Sequence, residues 1–195
     1  SDPGTSTPLA TTIRQFLYLG FTHIVPEGLD HILFVLGLFL LAPGLRPLLK
    51  QVTAFTVAHS LTLGLAMLGL VHLSGRIVEP LIALSIAVVA IENIYRSDVN
   101  PARWMIVFGF GLIHGLGFAG VLSQLGVPPG QFLPALLSFN VGVECGQLAV
   151  ILVASLLTWP VIRRAWYHNR VTIPASVVIA GIGLYWAVTR ALGRG

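Results

Sequence analysis

Charge is what this sequence has least of. Only 9% of its 195 residues are Asp, Glu, Lys or Arg, where a soluble domain carries about 25%. With 55% hydrophobic residues and a mean hydropathy of +0.88, the composition excludes an ordinary soluble globule. Cysteine is almost missing too. Cys145 stands alone, which excludes an internal disulfide and leaves the redox compartment unread. Basic stripes are absent as well. The eleven Lys and Arg give a formal net charge of +4 but lie scattered between apolar segments, without interleaved aromatics, so nucleic acid is excluded as a partner. The opening Ser1-Asp2-Pro3-Gly4-Thr5-Ser6-Thr7-Pro8 is polar and turn-rich and lacks a basic n-region. Residues 1–10 are therefore expected to be a disordered or processed segment, with 11–195 forming a single transmembrane helical domain.

What the chain does have is long apolar runs. Six reach the length needed to span the ~30 Å hydrocarbon core; they lie near 26–43, 48–71, 77–96, 103–122, 131–159 and 172–191. The expected fold is an all-α integral membrane bundle of six or seven transmembrane helices. The stretch from Ile13 to Val25 is too short to span, and is expected to lie at the interface or fold back into the bundle. Pro26 suits a first helical position and would open the first span. In the fourth span Gly111 and Gly115 are four apart, a spacing that lets bare backbone pack against a neighbouring helix.

Basic residues orient such a bundle. With the N-terminus outside, the loops 43–50, 96–103 and 160–171 face the cytoplasm and hold Arg46, Lys50, Arg96, Arg103, Arg163, Arg164 and Arg170, seven of the eleven bases. That bias places both termini on the outer, periplasmic side of a lipid bilayer.

Against this apolar background the polar residues are conspicuous. Five of the seven acids (Glu27, Asp30, Glu79, Glu92, Glu144) and four of the six histidines (His23, His31, His59, His114) fall inside or beside the apolar segments. A charge at the bilayer centre costs at least ~2.5–3.5 kcal/mol, so such groups face a protein interior and tend to carry function. Glu27, near the start of a helix, has a structural reading as an acid favourable to the dipole. Adjacent Asp30 and His31 are harder to dismiss. His59 and His114 each allow two readings, a satisfied core histidine or a metal ligand. Glu144 is the only acid between Arg103 and Arg163, with no Lys or Arg beside it, and it must be protonated, meet a buried cation or bind a metal. Asn140 and Gln147 share its face at i, i+4, i+7 and serve equally as interhelical glue. Glu79 precedes Pro80 at a helix start. Glu92, beside Asn93, lies one turn from Arg96 and reads as a helix-end ion pair. At matching depths, His31, His59, His114 and Glu144 would converge on one site opening outward. Nitrogen and oxygen ligands without a thiolate suit zinc, nickel, cobalt or iron(II) better than copper(I).

Several blocks carry a family resemblance: GFTHIVPEGLDHILFVLGLFL at 20–40, TAFTVAHSLTL at 53–63, VEPLIALSI at 78–86, IEN at 91–93, FGLIHGLGFA at 110–119 and FNVGVECGQL at 139–148. In this order they resemble the HupE/UreJ family of bacterial membrane proteins, over roughly residues 15 to 190. The resemblance implies a six- or seven-span protein of the bacterial inner membrane, related to nickel permeases and linked to metalloenzyme maturation. Matching positions imply His23, Asp30 and His31 as first-span metal residues faced by His59, His114 and Glu144. Two departures stand out. Six residues separate His23 from Asp30, more than in nickel permeases, and the single His-Gly at 114–115 lacks the second His-Gly and its acid. The chain therefore resembles the family's second branch.

Two functions follow as expectations. The favoured one is a permease for a divalent transition metal of the nickel or cobalt type, with Glu92-Asn93 as a second station near the inner end. The alternative is an intramembrane zinc hydrolase, in which histidines hold the metal and Asp30 or Glu144 serves as general base.

Overall fold

The computed structural model describes residues 7–41 and 44–193, with backbone alone for 119–125. Among the described residues there are seven α-helices and no strand: α1 (Leu9–Ile24), α2 (Leu29–Leu41), α3 (Leu45–Met67), α4 (Gly75–Tyr95), α5 (Arg103–Leu125), α6 (Phe132–Thr158) and α7 (Ile173–Ala191). A π-helical turn, His168–Thr172, leads into α7. Gly75–Tyr95, Phe132–Thr158 and His168–Ala191 are each long and apolar enough to cross a membrane, and α1 with α2, bent by 68°, qualifies as one broken span. Of the segments expected at the N-terminus, residues 1–6 lie outside the described residues, while Leu9 and Ala10 already belong to α1.

The first span departs from expectation. Pro26 does not open a helix. It lies in a break at 25–28, after a cis Val25–Pro26 bond, with α1 ending at Ile24 and α2 beginning at Leu29. A proline has no N–H to continue α1, so the ladder stops one residue before it. The stretch ahead of Pro26 is a sixteen-residue helix, longer than the expected 13–25, and it folds back along α6. Hydropathy also overran the end of α3, expected at residue 71. The helix stops at Met67 because Gly69, at φ +71°, turns the chain, with Gly69 N–H donating to Ala66 O at 3.0 Å and Leu70 N–H to Leu65 O at 3.0 Å. That is a Schellman stop, which only a residue tolerant of positive φ accepts cheaply.

α2 is the inner post of the bundle. It buries Phe34, Val35, Leu38 and Phe39 among residues of α3, α4, α6 and α7. An apolar helix of this kind is stable only when covered on all sides. The cover comes from three closely packed pairs, α1 with α6, α3 with α5 and α4 with α7. Each pair closes on glycine. A Cβ on Gly142 would collide with the Leu17 carbonyl and come within 2.8 Å of the Phe21 nitrogen. On Gly111 it would lie 2.5 Å from the Phe55 carbonyl, and on Gly183, 2.9 Å from the Ala87 nitrogen.

At the end of the bundle where α2 stops, polar side chains satisfy backbone left over by the helix. The Thr172 hydroxyl donates to Leu40 O at 3.0 Å and the Asn93 amide to Gly37 O at 2.7 Å. Arg103, 1% exposed, donates to Asn93 Oδ1 at 3.0 Å and pairs with Glu92 at 3.0 Å. The expected pair of Glu92 with Arg96 is present at 3.6 Å, but it is the looser and more exposed of the two. Glu92 and Asn93 are thus engaged in holding α2, α4, α5 and α7 together.

Two measurements check this account. Gly142→Ala should cost about 1–3 kcal/mol by overpacking and lower the melting temperature in detergent, whereas Gly109→Ala and Gly181→Ala, with open space around the added methyl, should be neutral or slightly stabilising. Arg103→Met should cost about 3–5 kcal/mol by stranding the partly buried Glu92. Arg96→Met, at an exposed pair, should cost under about 1 kcal/mol. Equal effects from the two arginines would contradict the assignment.

Candidate metal centre

The site begins at the break. On a continuous helix His23 and His31, eight residues apart, would be separated by about 12 Å along the axis. Across the bend their ring centroids are 4.6 Å apart, edge to face. Gly28 makes the bend possible, since a Cβ there would collide with the His23 carbonyl and lie 3.3 Å from Ile24 Cα. His59 comes from α3, with its ring 6.0 Å from that of His23 and 5.9 Å from that of His31. His114 comes from α5, 5.0 Å from His31. The α3–α5 contact through Gly111 and Gly115 brings these two histidines to the same level, because Gly115 lies directly against the His59 carbonyl.

One ligand atom each from His23, His31 and His59 can be chosen so that all lie within 4.8 Å of one another. All four imidazoles are buried, His59 completely. The walls are aromatic: Phe118 against His23 at 3.9 Å, Phe55 against His114 at 5.0 Å, and Phe139 stacked beyond His59. Buried polar atoms are ordinarily hydrogen-bonded. Here His23 Nε2, His31 Nε2, both nitrogens of His59 and His114 Nδ1 are buried without a partner among the described residues. His114 has one partner, with Nε2 lying 2.9 Å from Ser85 Oγ. The single Ser85 proton goes to Ile82 O at 2.7 Å, so Ser85 accepts from Nε2–H and the lone pair of His114 is left on Nδ1.

A cavity of about 400 Å³ leads to this cluster, lined in part by His23, His31, His114, Glu27, Asp30, Glu79 and Arg190. Asp30 does not join the histidine trio. Its two oxygens are each 3.1 Å from a guanidinium nitrogen of Arg190, and that guanidinium also lies over the Trp186 ring at 5.1 Å. Arg190 is the residue that sequence reasoning missed. Its signal in the sequence is its place as the lone base in the last turn of the last apolar segment. Glu27 sits in the break and Glu79 near the start of α4, both exposed and both on the cavity wall.

Glu144 lies elsewhere. It accepts a hydrogen bond from Thr53 Oγ1 at 3.1 Å; Thr53 is six residues before His59, about 9 Å along α3. The neighbouring Thr56 hydroxyl contacts Gln147 Oε1 at 2.9 Å. Asn140 donates to Leu136 O at 2.7 Å and lies beside His59. The structure thus gathers His23, His31 and His59, with His114 adjoining, and it separates Asp30, Glu144, Glu92 and Asn93 from them.

A buried cluster of imidazoles with free lone pairs, reached from an acidic cavity, is an arrangement suited to a cation. A family model described as HupE / UreJ protein matches residues 4–190. No curated protein and no solved structure matches the chain. The family match covers the break, all four histidines, the cavity and the Glu144 seam, and on it this chain belongs to the HupE/UreJ family.

Proposed function

We propose that this protein is a permease for a divalent transition-metal ion, with His23, His31 and His59 as its ligands and His114 as a neighbouring fourth. The observation that carries the reading is the set of five buried imidazole nitrogens without partners, which a core built only for stability would have satisfied. In a tetrahedral site with metal–nitrogen bonds of about 2.0–2.1 Å, ligand atoms lie about 3.4 Å apart. The trio, within 4.8 Å, reaches that spacing by modest ring rotation.

The chemistry favours a travelling ion over a resident one. Resident sites fix each histidine by a hydrogen bond from its other nitrogen to a carboxylate or carbonyl; among the described residues His59 has neither, its polar neighbour being the Asn140 amide. Every ligand is neutral when it binds, and Asp30, next to His31 in the chain, is held by Arg190. Binding of this strength permits release, which conduction requires. Glu27 and Glu79 on the cavity wall draw cations toward the mouth. No observation favours the hydrolase reading, since of its two candidate bases Asp30 is paired with Arg190 and Glu144 meets α3 at Thr53, about 9 Å along the helix from His59.

We read the bundle as one domain of six spans, with the bent α1–α2 pair counted as one; up to four of these qualify by length and composition among the described residues. The Lys and Arg bias supports outer termini in a bacterial inner membrane. The family's hydrogenase- and urease-associated members support nickel or cobalt as cargo and a metalloenzyme-maturation system as recipient, while the imidazole set also accepts zinc.

Purified protein should bind about one equivalent of Ni²⁺, Co²⁺ or Zn²⁺ by calorimetry, and that equivalent should exchange readily with added metal. His31→Ala and His59→Ala should each weaken it by at least about ten-fold. Proteoliposome uptake should vanish in the His23→Ala/His31→Ala/His59→Ala triple variant. Uptake that survives this triple change would overturn the permease reading.

A further inference from the structure

The histidine cluster accounts for entry and capture, but an ion there still has to leave by the other end of the bundle. The cavity mouth lies where α4 begins and α7 ends, at Glu79 and Arg190. Thr53 and Glu144 lie on the opposite side of the histidines, toward the start of α3. Between the two levels runs a seam of polar side chains from only two helices, Thr53, Thr56 and His59 of α3 against Asn140, Glu144 and Gln147 of α6. Glu92 and Asn93, the residues expected from sequence as an inner station, are occupied by Arg103 and Arg96.

We propose that Glu144 is the charged centre of a second, weaker station for the same divalent cation, reached from His59 along the α3–α6 seam. The proposal rests on the permease reading and extends it. Two independent observations support it. Glu144 has no ion-pair partner among the described residues, and its one side-chain hydrogen bond is accepted from a neutral hydroxyl, so its charge is available to a cation. Asn140, one helical turn from Glu144 and about nine-tenths buried, sets its side chain against His59 on the same face, with Oδ1 short of a well-formed hydrogen bond among the described residues. Together with the oxygens of Thr53, Thr56 and Gln147, these groups offer a cation oxygen ligands where the first station offers nitrogen.

The order of the two stations follows from ligand chemistry. Imidazole nitrogen holds nickel, cobalt and zinc more firmly than hydroxyl, amide and single carboxylate oxygens do. An ion passing from His59 to Glu144 trades neutral nitrogen ligands for harder oxygen ones, of which the Glu144 carboxylate alone carries charge. The second station lowers the barrier to leaving the first without trapping the ion, as multi-site conduction requires. A purely structural role for the seam would be met by Thr and Gln alone, since interhelical hydrogen bonds need no ionisable group.

The test is metal binding and uptake by the full chain with Ni²⁺, Co²⁺ and Zn²⁺, comparing wild type with Glu144→Gln and Glu144→Asp. Wild type should show one tight equivalent and one at least ten-fold weaker. Glu144→Gln should keep the tight equivalent within two-fold, lose the weak one, and lower uptake at least ten-fold. Glu144→Asp should recover part of both. If Glu144→Gln fails to fold, Gln147→Met and Thr53→Val carry the same comparison, each expected to weaken only the second equivalent. Uptake by Glu144→Gln within two-fold of wild type would overturn the proposal. So would loss of the tight equivalent in that variant, which would make Glu144 a ligand of the first station. A wild type that binds and moves no metal would instead overturn the permease reading itself.

Discussion

Two imidazoles eight residues apart in sequence can meet only if the helix carrying them stops and restarts. Everything about the site depends on that interruption at 25–28. Proline ends α1, and glycine lets the chain turn so tightly that residue 28 touches the His23 carbonyl. A continuous helix would leave about 12 Å between His23 and His31, and His59 would then meet one of them at most. The break also sets the 68° angle between α1 and α2, so that α1 lies along α6 while α2 enters the centre of the bundle. Local chain chemistry at four residues therefore fixes both the site and the arrangement of helices around it.

The remaining helices hold this geometry by close backbone approach more than by side-chain volume. In an apolar solvent the hydrophobic effect does not drive helices together, and association relies on packing and hydrogen bonds. The three glycine-lined pairs answer that need. They also do specific work at the site: the α3–α5 pair aligns His59 with His114, and the α1–α6 pair sets His23 and Asn140 on either side of His59. The buried Arg103–Glu92–Asn93 knot anchors the opposite end, where α2 exposes its last carbonyls. One end of α2 is thus fixed, and the end that carries His31 faces the cavity.

Much of this was legible in the sequence, and the failures have physical causes. Helix number and most boundaries followed from apolar length and from Gly and Pro punctuation. Gly111 and Gly115 were recognisable as a packing pair by their spacing alone. Pro26 was legible as a break in the helix, with His23 reaching the site from the bend, but not as lying outside both helices. Proline is as good at ending one helix as at starting the next, and only Gly28 two residues later favours the former. The histidines were recognised by their cost in an apolar run. Asp30 and Glu144 were grouped with them on the same ground, but cost gives depth and not direction around a helix. Asp30 follows α2 to Arg190, some 160 residues away in sequence, a pairing that periodicity cannot reveal. Glu144 sits about two helical turns along α3 from the histidine level, a distance set by how α3 and α6 cross.

Charge along the proposed route then has an order that no single residue shows. At the mouth Glu27 and Glu79 attract cations, while Asp30 is neutralised by Arg190. In the middle, four uncharged imidazoles offer lone pairs without countercharge. Beyond them Glu144 has no basic partner among the described residues. An ion meets negative charge on either side of a neutral binding site, so the field does not hold it at the centre. On the proposed permease reading, the histidines would supply selectivity through ligand type, and the carboxylates the pull that brings the ion in and takes it onward. Arg190 has the converse effect. Paired with Asp30, it would keep a carboxylate from turning the histidine site into a resting place, which the proposed permease requires to remain transient.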